Sequence, residues 1–341
     1  MSGEGLSAIT ERFNGSTMFL WYGVALVAFI VLYALPFLVD SPYYLNLIAW
    51  IQILGIAVLG YNIIFGYAGS LSFGHAAFFG TGAYTVALLM KYTGIRELFI
   101  LVILGAVAAV AVAAVIGAVT LNTSDIYYSL LTLALAQILY VLAAKLYNIT
   151  NGTDGIGVGQ PHVFGQAFES LTVITFLTEL YYYIVVLAFG LSIVFAWLIV
   201  KSPFGLTLKT LRENPERARA MGIPVKRYRW YATLLSGLFV GFSGALYSVL
   251  SGHITPEILD WTYSGQIVFM TLIGGASTFG GPLVGATIYV LLREYAVALV
   301  SNYWQFTMGF IMFVIVVILR SDGLWGGAKR LVRHYGGSDN E

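Results

Sequence analysis

The chain has 341 residues, of which 59% are hydrophobic and 10% are charged, and its mean hydropathy is +0.85. Soluble domains carry about 25% charged residues, so this composition excludes an ordinary soluble domain and indicates a polytopic membrane protein. The formal net charge is only +1, and the absence of cysteine excludes disulfides and thiolate metal sites.

Apolar runs of membrane-spanning length recur along the chain and predict an all-α, polytopic helical bundle of about ten transmembrane segments (about 8–10). The first run is too long for the core of a signal peptide and is expected to be a retained span. A transmembrane domain is therefore predicted over residues 18–320, between tails 1–17 and 321–341. The runs lie near residues 18–39, 44–66, 74–91, 97–120, 127–147, 179–200, 229–250, 262–279, 283–299 and 303–319.

Two glycine-rich segments interrupt the apolar runs and predict broken helices. They are GYAGSLSFGHAAFFGTGAY at residues 66–84 and LIGGASTFGGPLVG at residues 272–285. Irregular backbone is tolerated in a bilayer only where protein buries it or a wet cavity adjoins it, and paired broken segments are typical of a transport site. The alternative is that glycine only allows close helix packing. The residues predicted to line a substrate pathway are Gly69, Ser70, Ser72, Gly74, His75, Gly274 and Gly275.

Free helix ends at these breaks would suit a zwitterion, because amides at a helix N-terminus attract a carboxylate and carbonyls at a C-terminus attract an ammonium group. His75 has two interpretations, an interior hydrogen-bonding residue or a proton relay. No second His, Asp or Glu lies at helical spacing from it, which favours the first.

Small residues recur every four positions in two of the apolar runs, and they predict close helix packing rather than chemistry. They are Gly105, Ala109, Ala113 and Gly117 in one run, and Gly237, Gly241 and Ala245 in the other.

Residues 201–229, which we call the basic loop, hold eight of the seventeen Lys and Arg residues. A Lys/Arg excess between two spans predicts a cytoplasmic loop, and even span counts then place both termini in the cytoplasm. Ser202, with a proline after it, predicts the start of one short helix. Asn214, also followed by proline, predicts a second helix that ends before Gly222. On composition alone the loop could be a topology determinant and nothing more.

The longest loop on the other side, residues 148–178, begins NITNGTDGIGVGQPHVF. Its plain interpretation is a turn-rich surface loop, and its functional one is an external lid or a docking surface for a soluble binding protein. The sequence favours neither.

Glu216, Ala218 and Gly222 occupy the first, third and seventh places of the E-A-A-x-x-x-G motif of ABC importer permeases, with Arg217 in place of the middle alanine. From about Leu45 onward the chain resembles the branched-chain amino acid permease family. The most specific segments are the first glycine-rich segment, SPFGLTLKTLRENPERARAMGIPVKRYR in the basic loop, and TPEILDWTYSGQIVFMTLIGG.

The loop at residues 148–178 is also similar to the family's T-G-G-x-[DN]-G-[LI] stretch, in which Asn151 here replaces the first glycine.

The resemblance implies that the basic loop is a coupling helix that inserts into a groove of a separate ATPase. The implied partners are a homologous permease subunit, two ATP-binding cassette ATPases and a soluble solute-binding protein, in membrane lipid and without nucleic acid. The coupling residues implied are Leu208, Leu211, Arg212, Glu216, Ala218 and Gly222.

The resemblance further implies a non-enzymatic transport subunit of the cell membrane. It would hold no cofactor, because ATP binds the partner ATPase. The implied substrates are branched-chain or other hydrophobic amino acids, with urea or short amides as the alternative.

Two other classes of protein stay open. An ion-coupled secondary transporter would use an intramembrane carboxylate or ion site, whereas the acidic residues here cluster near span ends. A membrane-embedded enzyme needs converging titratable groups. No G-x-x-x-x-G-K-[ST], H-E-x-x-H or G-x-S-x-G motif occurs.

Overall fold

The computed structural model describes residues 27, 29–39, 41–123, 125–168, 171–276, 278–300 and 303–319. The predicted tails and the beginning of the first predicted span lie outside the described residues. Among these residues, apart from turns, irregular segments, isolated bridges and one pair of two-residue strands, β1 Ile156–Gly157 and β2 His253–Ile254, the secondary structure is helical. The predicted all-α fold class is confirmed.

The helices follow the predicted apolar runs, with short additional helices between them. In chain order they are α1 Phe29–Leu38, α2 Pro42–Tyr67, α3 His75–Thr93, α4 Leu98–Val119, α5 Asp125–Lys145, α6 Tyr147–Thr150, α7 Val173–Lys201, α8 Pro203–Glu213, α9 Pro215–Ala220, α10 Val225–Ser251, α11 Trp261–Gly274, α12 Gly281–Leu299 and α13 Trp304–Leu319.

Within the described part of the chain, six helices are long and apolar enough to cross a membrane, namely α2, α4, α5, α7, α10 and α12. The predicted span 262–279 is wrong in its extent. Its helix, α11, has 14 residues, which is about 21 Å at 1.5 Å per residue and shorter than the ~30 Å hydrocarbon core. The glycines at its end stop it.

The helices α2 and α10 form the centre of the bundle. In their most apolar windows 78% and 67% of the residues are buried, against 28–39% in the other four long helices. Those outer helices expose large apolar side chains, for example Ile103 and Val107 on α4 and Leu187 and Leu191 on α7. Such an apolar outer face suits contact with lipid tails, because the tails offer no hydrogen-bond partner to polar side chains.

The predicted stripes of small residues pack against each other, α4 against α10. An added Cβ on Gly241 would lie 2.0 Å from the Cβ of Ala109, so the two backbones approach as closely as small residues allow. The antiparallel pairs are Gly105 with Ala245, Ala109 with Gly241, and Ala113 with Gly237. The packing interpretation of these stripes is confirmed.

The two ends of the bundle carry different loops. At one end, which we call the basic end, α8 lies beside the last turn of α2, and Lys226 donates a hydrogen bond to Asn122 after α4. At the opposite end the amide of Val158 donates to the carbonyl of Gly252, which follows α10. The basic loop and residues 148–168 therefore lie at opposite ends.

The segment 148–168 is pinned to the helix ends beside it. β1 pairs with β2 in antiparallel register, and the amide of Leu98 donates to the carbonyl of His162. Asn151 ends α6 at a φ of 59°, a left-handed conformation that glycine and asparagine tolerate best. Asn151 can therefore stand where the family stretch has glycine.

A methyl group on Gly241 would overlap Ala109, so Gly241→Ala should lower the free energy of unfolding by about 1–3 kcal/mol. Gly265→Ala on α11 is the matched control, because no atom lies within 4 Å of the added Cβ and alanine favours a helix. Thermal unfolding in detergent should show a lower Tm for the first variant and an equal or higher Tm for the second. Equal midpoints would contradict the close-packing role of the stripe.

Candidate functional site at two helix breaks

The first helix break lies between α2 and α3. α2 ends in a wide π-helical turn, Ile63–Tyr67, and Gly69 then takes a φ of +73°, where glycine is favoured. Residues 68–74 are not helical, and α3 begins at His75. The break that the sequence predicted here is confirmed.

Hydroxyl groups of α5 hold this broken segment. Ser129 Oγ donates to the carbonyl of Leu71 at 2.7 Å, and Thr132 Oγ1 accepts from the amide of Phe73 at 3.2 Å. Gly74 packs on the same turn, where an added Cβ would lie 3.0 Å from the carbonyl oxygen of Thr132. Gly74 is therefore a packing glycine as well as part of the break.

Three of the amides at the start of α3 already have partners. Ser72 Oγ accepts from the amide of Gly74 at 3.2 Å, and Ser264 Oγ on α11 accepts from the amide of Ala76 at 2.8 Å. The amide of Ala77 donates back to the carbonyl of Gly74 at 3.1 Å. The expectation that these amides stand free for a solute carboxylate is wrong for this structure.

His75 is an interior hydrogen-bonding residue. Its Nε2 lies 2.7 Å from Ser236 Oγ on α10, and its ring meets the rings of Tyr61 and Phe78 edge-on at centroid distances of 4.6 and 5.1 Å. Among the described residues, no three His, Asp or Glu side chains lie close enough together to hold a metal ion.

The second break lies between α11 and α12. Gly275 takes a φ of +99°, and Thr278 Oγ1 closes the turn by donating to the carbonyl of Gly275 at 3.0 Å and accepting from the amide of Gly281 at 3.1 Å. An added Cβ on Gly274 would lie 1.8 Å from the carbonyl oxygen of Gly281. Backbone conformation and backbone contact thus both require glycine here.

The two breaks touch each other at Gly66, in the π turn of α2. An added Cβ on Gly66 would lie 2.2 Å from the carbonyl oxygen of Ala276 in the second break. Asn62, one turn earlier, donates from Nδ2 to the carbonyl of Thr278 at 3.1 Å. Asn62 and Gly66 are not among the site residues predicted from the sequence. The signal for Asn62 was an amide side chain inside an apolar run.

The basic loop has the two capped helices that the sequence predicted. Ser202 caps α8, and Asn214 Oδ1 caps α9 by accepting from the amides of Glu216 and Arg217 at 3.0 and 2.9 Å. Gly222 follows α9 at a φ of +82°. The loop therefore has a defined shape before any partner binds.

The structure separates the predicted coupling residues. Leu208, Leu211 and Ala218 are buried against helices of this chain, so the expectation that they face a partner is corrected. Leu208 packs in the main core and fixes α8 to the bundle, whereas Leu211 and Ala218 pack against the start of α10. Glu216 and Gly222 are exposed.

Arg212 joins the basic loop to the first break. Its Nη1 donates to the carbonyl of Gly66 at 2.6 Å, and an added Cβ on Gly69 would lie 2.9 Å from Arg212 Cγ. Nearby, Lys209 Nζ lies 5.6 Å from the centroid of the Tyr67 ring. Three segments that the sequence marked separately, the two breaks and the basic loop, thus meet at one place.

The sequence profile of the branched-chain amino acid transport system permease component matches residues 43–318. The chain belongs to this family. It is 28% identical to the high-affinity branched-chain amino acid transport system permease protein LivM of Escherichia coli K12, over 94% of this chain and 78% of that protein. The LivM protein of Salmonella typhimurium is 27% identical, over 78% of this chain and 66% of that protein.

A partial match reaches beyond amino acid permeases. The guanosine ABC transporter permease protein NupQ of Bacillus subtilis is 33% identical, but over only 32% of this chain and 31% of that protein. No solved structure matches the chain. Membership of the branched-chain amino acid permease family confirms the resemblance seen in the sequence. It makes the chain a multi-pass membrane protein and a transport subunit rather than an enzyme, with the ATPase on a separate subunit.

His75→Gln should keep near-wild-type uptake by the assembled transporter, because the glutamine amide can replace the hydrogen bond to Ser236. His75→Leu leaves that hydroxyl buried without its partner and should destabilise the protein by roughly 1–3 kcal/mol. Radiolabelled solute uptake and thermal unfolding of both variants check this. A folded His75→Gln protein without uptake would instead favour the proton-relay interpretation.

Proposed function

We propose that this chain is one of two permease subunits of an ATP-driven importer for branched-chain or other hydrophobic amino acids. A homologous permease, two ATP-binding cassette ATPases and a soluble solute-binding protein complete the complex. Membership of the family supports the permease role. The observation that carries the coupling role is the contact of the basic loop with the two touching helix breaks. ATP binds the partner ATPases, and no cofactor is proposed for this chain.

The basic end faces the cytoplasm in this proposal, as its Lys/Arg excess favours. Its placement opposite residues 148–168 supports a chain that crosses the membrane back and forth about ten times. The proposed spans are α1 to α5, α7 and α10 to α13. Both tails, 1–17 and 321–341, then lie in the cytoplasm. The less apolar helix α3 and the shorter helices α1, α11 and α13 belong to this count by their position in the chain.

The ATPase docks on the outer surface of α8 and α9. Beside the exposed Glu216 and Gly222, this surface presents two large apolar side chains, Leu206 and Met221, which are 58% and 64% exposed. Apolar side chains rimmed by charge are typical of a protein interface. Leu206 and Met221 thus supply the apolar contacts, whereas Leu208 and Leu211, which the family resemblance implied as coupling residues, are buried within this chain.

The substrate pathway runs past the two breaks, along the predicted residues from Gly69 to His75 and at Gly274 and Gly275. In the structure the breaks contact each other at Gly66, and three amides at the start of α3 have partners within the protein. The pathway is therefore closed at this point. Separation of the breaks would release amides, carbonyls and hydroxyls that can bind a zwitterion.

The comparisons favour amino acids as substrates, because the family profile and the LivM relatives match most of the chain and NupQ about a third. Urea and short amides remain the alternative substrates. The buried polar side chains of the described residues are hydroxyls, amides and one histidine. Such a neutral lining favours an ATP-driven permease over an ion-coupled transporter with a carboxylate site.

The complex, reconstituted in proteoliposomes with its binding protein, should take up radiolabelled leucine only when ATP reaches the ATPases. Unlabelled isoleucine and valine should compete, whereas guanosine and urea should not. Uptake driven by a cation gradient without ATP would overturn the proposal in favour of a secondary transporter. Competition by urea alone would favour the alternative substrates.

Cysteine labelling tests the orientation, because the chain has no cysteine of its own. Phe164→Cys and Met221→Cys replace residues that are 82% and 64% exposed at opposite ends of the bundle. On intact cells a membrane-impermeant maleimide should label the first variant and not the second, and on permeabilised cells it should label both. The cysteine-free parent is the control, and the reverse pattern on intact cells would contradict the orientation.

A further inference from the structure

We propose that Arg212 is a positioning residue that transmits movement of the basic loop to both helix breaks. This inference rests on the proposed function, in which a partner ATPase moves the basic loop. The family resemblance implied Arg212 as an ATPase-coupling residue, and here its side chain contacts the end of α2 in its own chain.

Arg212 holds the end of α2 at two points. Arg212 lies in the last turn of α8, and its guanidinium donates to the carbonyl of Gly66 at 2.6 Å. Its Cγ lies against Gly69, three residues further along the chain. A cation at the C-terminal end of a helix is favourable, because the last carbonyls lack intrahelical partners. The exposed Arg212 side chain is thus joined to the end of α2 by a charge-assisted hydrogen bond and by its packing on Gly69.

Beyond Gly66 the attachment reaches the second break. Gly66 packs on the carbonyl of Ala276, and Asn62 of the same α2 end donates to the carbonyl of Thr278. Arg212, the end of α2 and the turn before α12 therefore form one chain of direct contacts. Displacement of α8 must either break this chain of contacts or move the breaks with it.

The parts on either side of Arg212 suit this role. Leu211, Ala218 and Val225 form one small buried cluster, which makes α8, α9 and the start of α10 a single body. On the other side, Ile63–Tyr67 is a π turn, a local widening that is frequent at functional sites. An α8 shift of about an ångström would carry the Arg212 bond beyond hydrogen-bond range unless the π turn follows.

The full complex in proteoliposomes tests the proposal with Arg212→Ala and Arg212→Lys. Arg212→Ala should co-purify with the ATPases and hydrolyse ATP at the wild-type basal rate, while leucine uptake per ATP falls roughly tenfold or more, the loss expected for a charge-assisted hydrogen bond. Arg212→Lys keeps the charge and a donor and should restore part of the coupling. A merely structural role would lower yield and Tm and leave uptake per ATP unchanged.

A second readout does not depend on the substrate. Ser70→Cys places a thiol in the first break at a side chain that is 9% exposed. A non-hydrolysable ATP analogue should change its alkylation rate in the otherwise wild-type complex and not in the Arg212→Ala complex. If the alkylation rate in the otherwise wild-type complex depends on ATP but no leucine is taken up, the proposed substrate is wrong and the transmission role is still supported.

Glu216→Lys on the exposed face of α9 separates docking from transmission. It should abolish co-purification of the ATPases, and if it does not, the proposed docking surface fails independently of Arg212. Wild-type uptake per ATP together with ATP-dependent alkylation in Arg212→Ala overturns the transmission role. If Arg212→Ala does not assemble, Asn62→Leu decides. Lost coupling in an assembled Asn62→Leu complex supports the proposal, whereas normal coupling or failed assembly overturns it.

Discussion

A bilayer offers no water to the backbone of an interrupted helix, so every amide and carbonyl that a break opens needs a partner from the protein. This constraint governs the arrangement around the two breaks. Ser129 and Thr132 of α5 serve the first break, and Thr278 serves the second from within. Where the end of α2 leaves the carbonyl of Gly66 open, Arg212 supplies the donor. The contacts that give these backbone groups their hydrogen bonds therefore also join the breaks to the helices and the loop around them.

Glycine has two distinct uses in this bundle. On α10 it removes side-chain volume so that α4 can approach, as at Gly241, and the result is a tightly packed frame. At Gly69 and Gly275 it supplies backbone angles that other residues rarely adopt. Gly66 shows that the two uses can combine, because the close approach of the second break occurs where the helix widens. Tightly packed helices together with glycine-containing helix breaks suit a permease, which must open a pathway while it stays folded.

In the proposed function the basic loop serves topology, structure and coupling with one set of residues. Its positive charge favours the cytoplasmic side, and one of its arginines, Arg212, satisfies the end of α2. Leu208 fixes it to the bundle, whereas Leu206 and Met221 are exposed. A coupling element needs both an outer surface for a partner and an inner attachment to the pathway. The inward and outward faces of α8 and α9 provide them.

The sequence by itself determined the helical class, the small-residue stripes, both breaks and the caps of α8 and α9, because these follow from composition, local periodicity and turn chemistry. It also identified the family, because the spacing of the residues in the basic loop and in the glycine-rich segments is specific to that family. Only the tertiary structure decided which faces point inward. It buried Leu208 and turned Arg212 toward Gly66, and it paired Asn62 with Thr278 across 216 positions. No local rule contains such contacts, since they depend on how distant helices end beside one another.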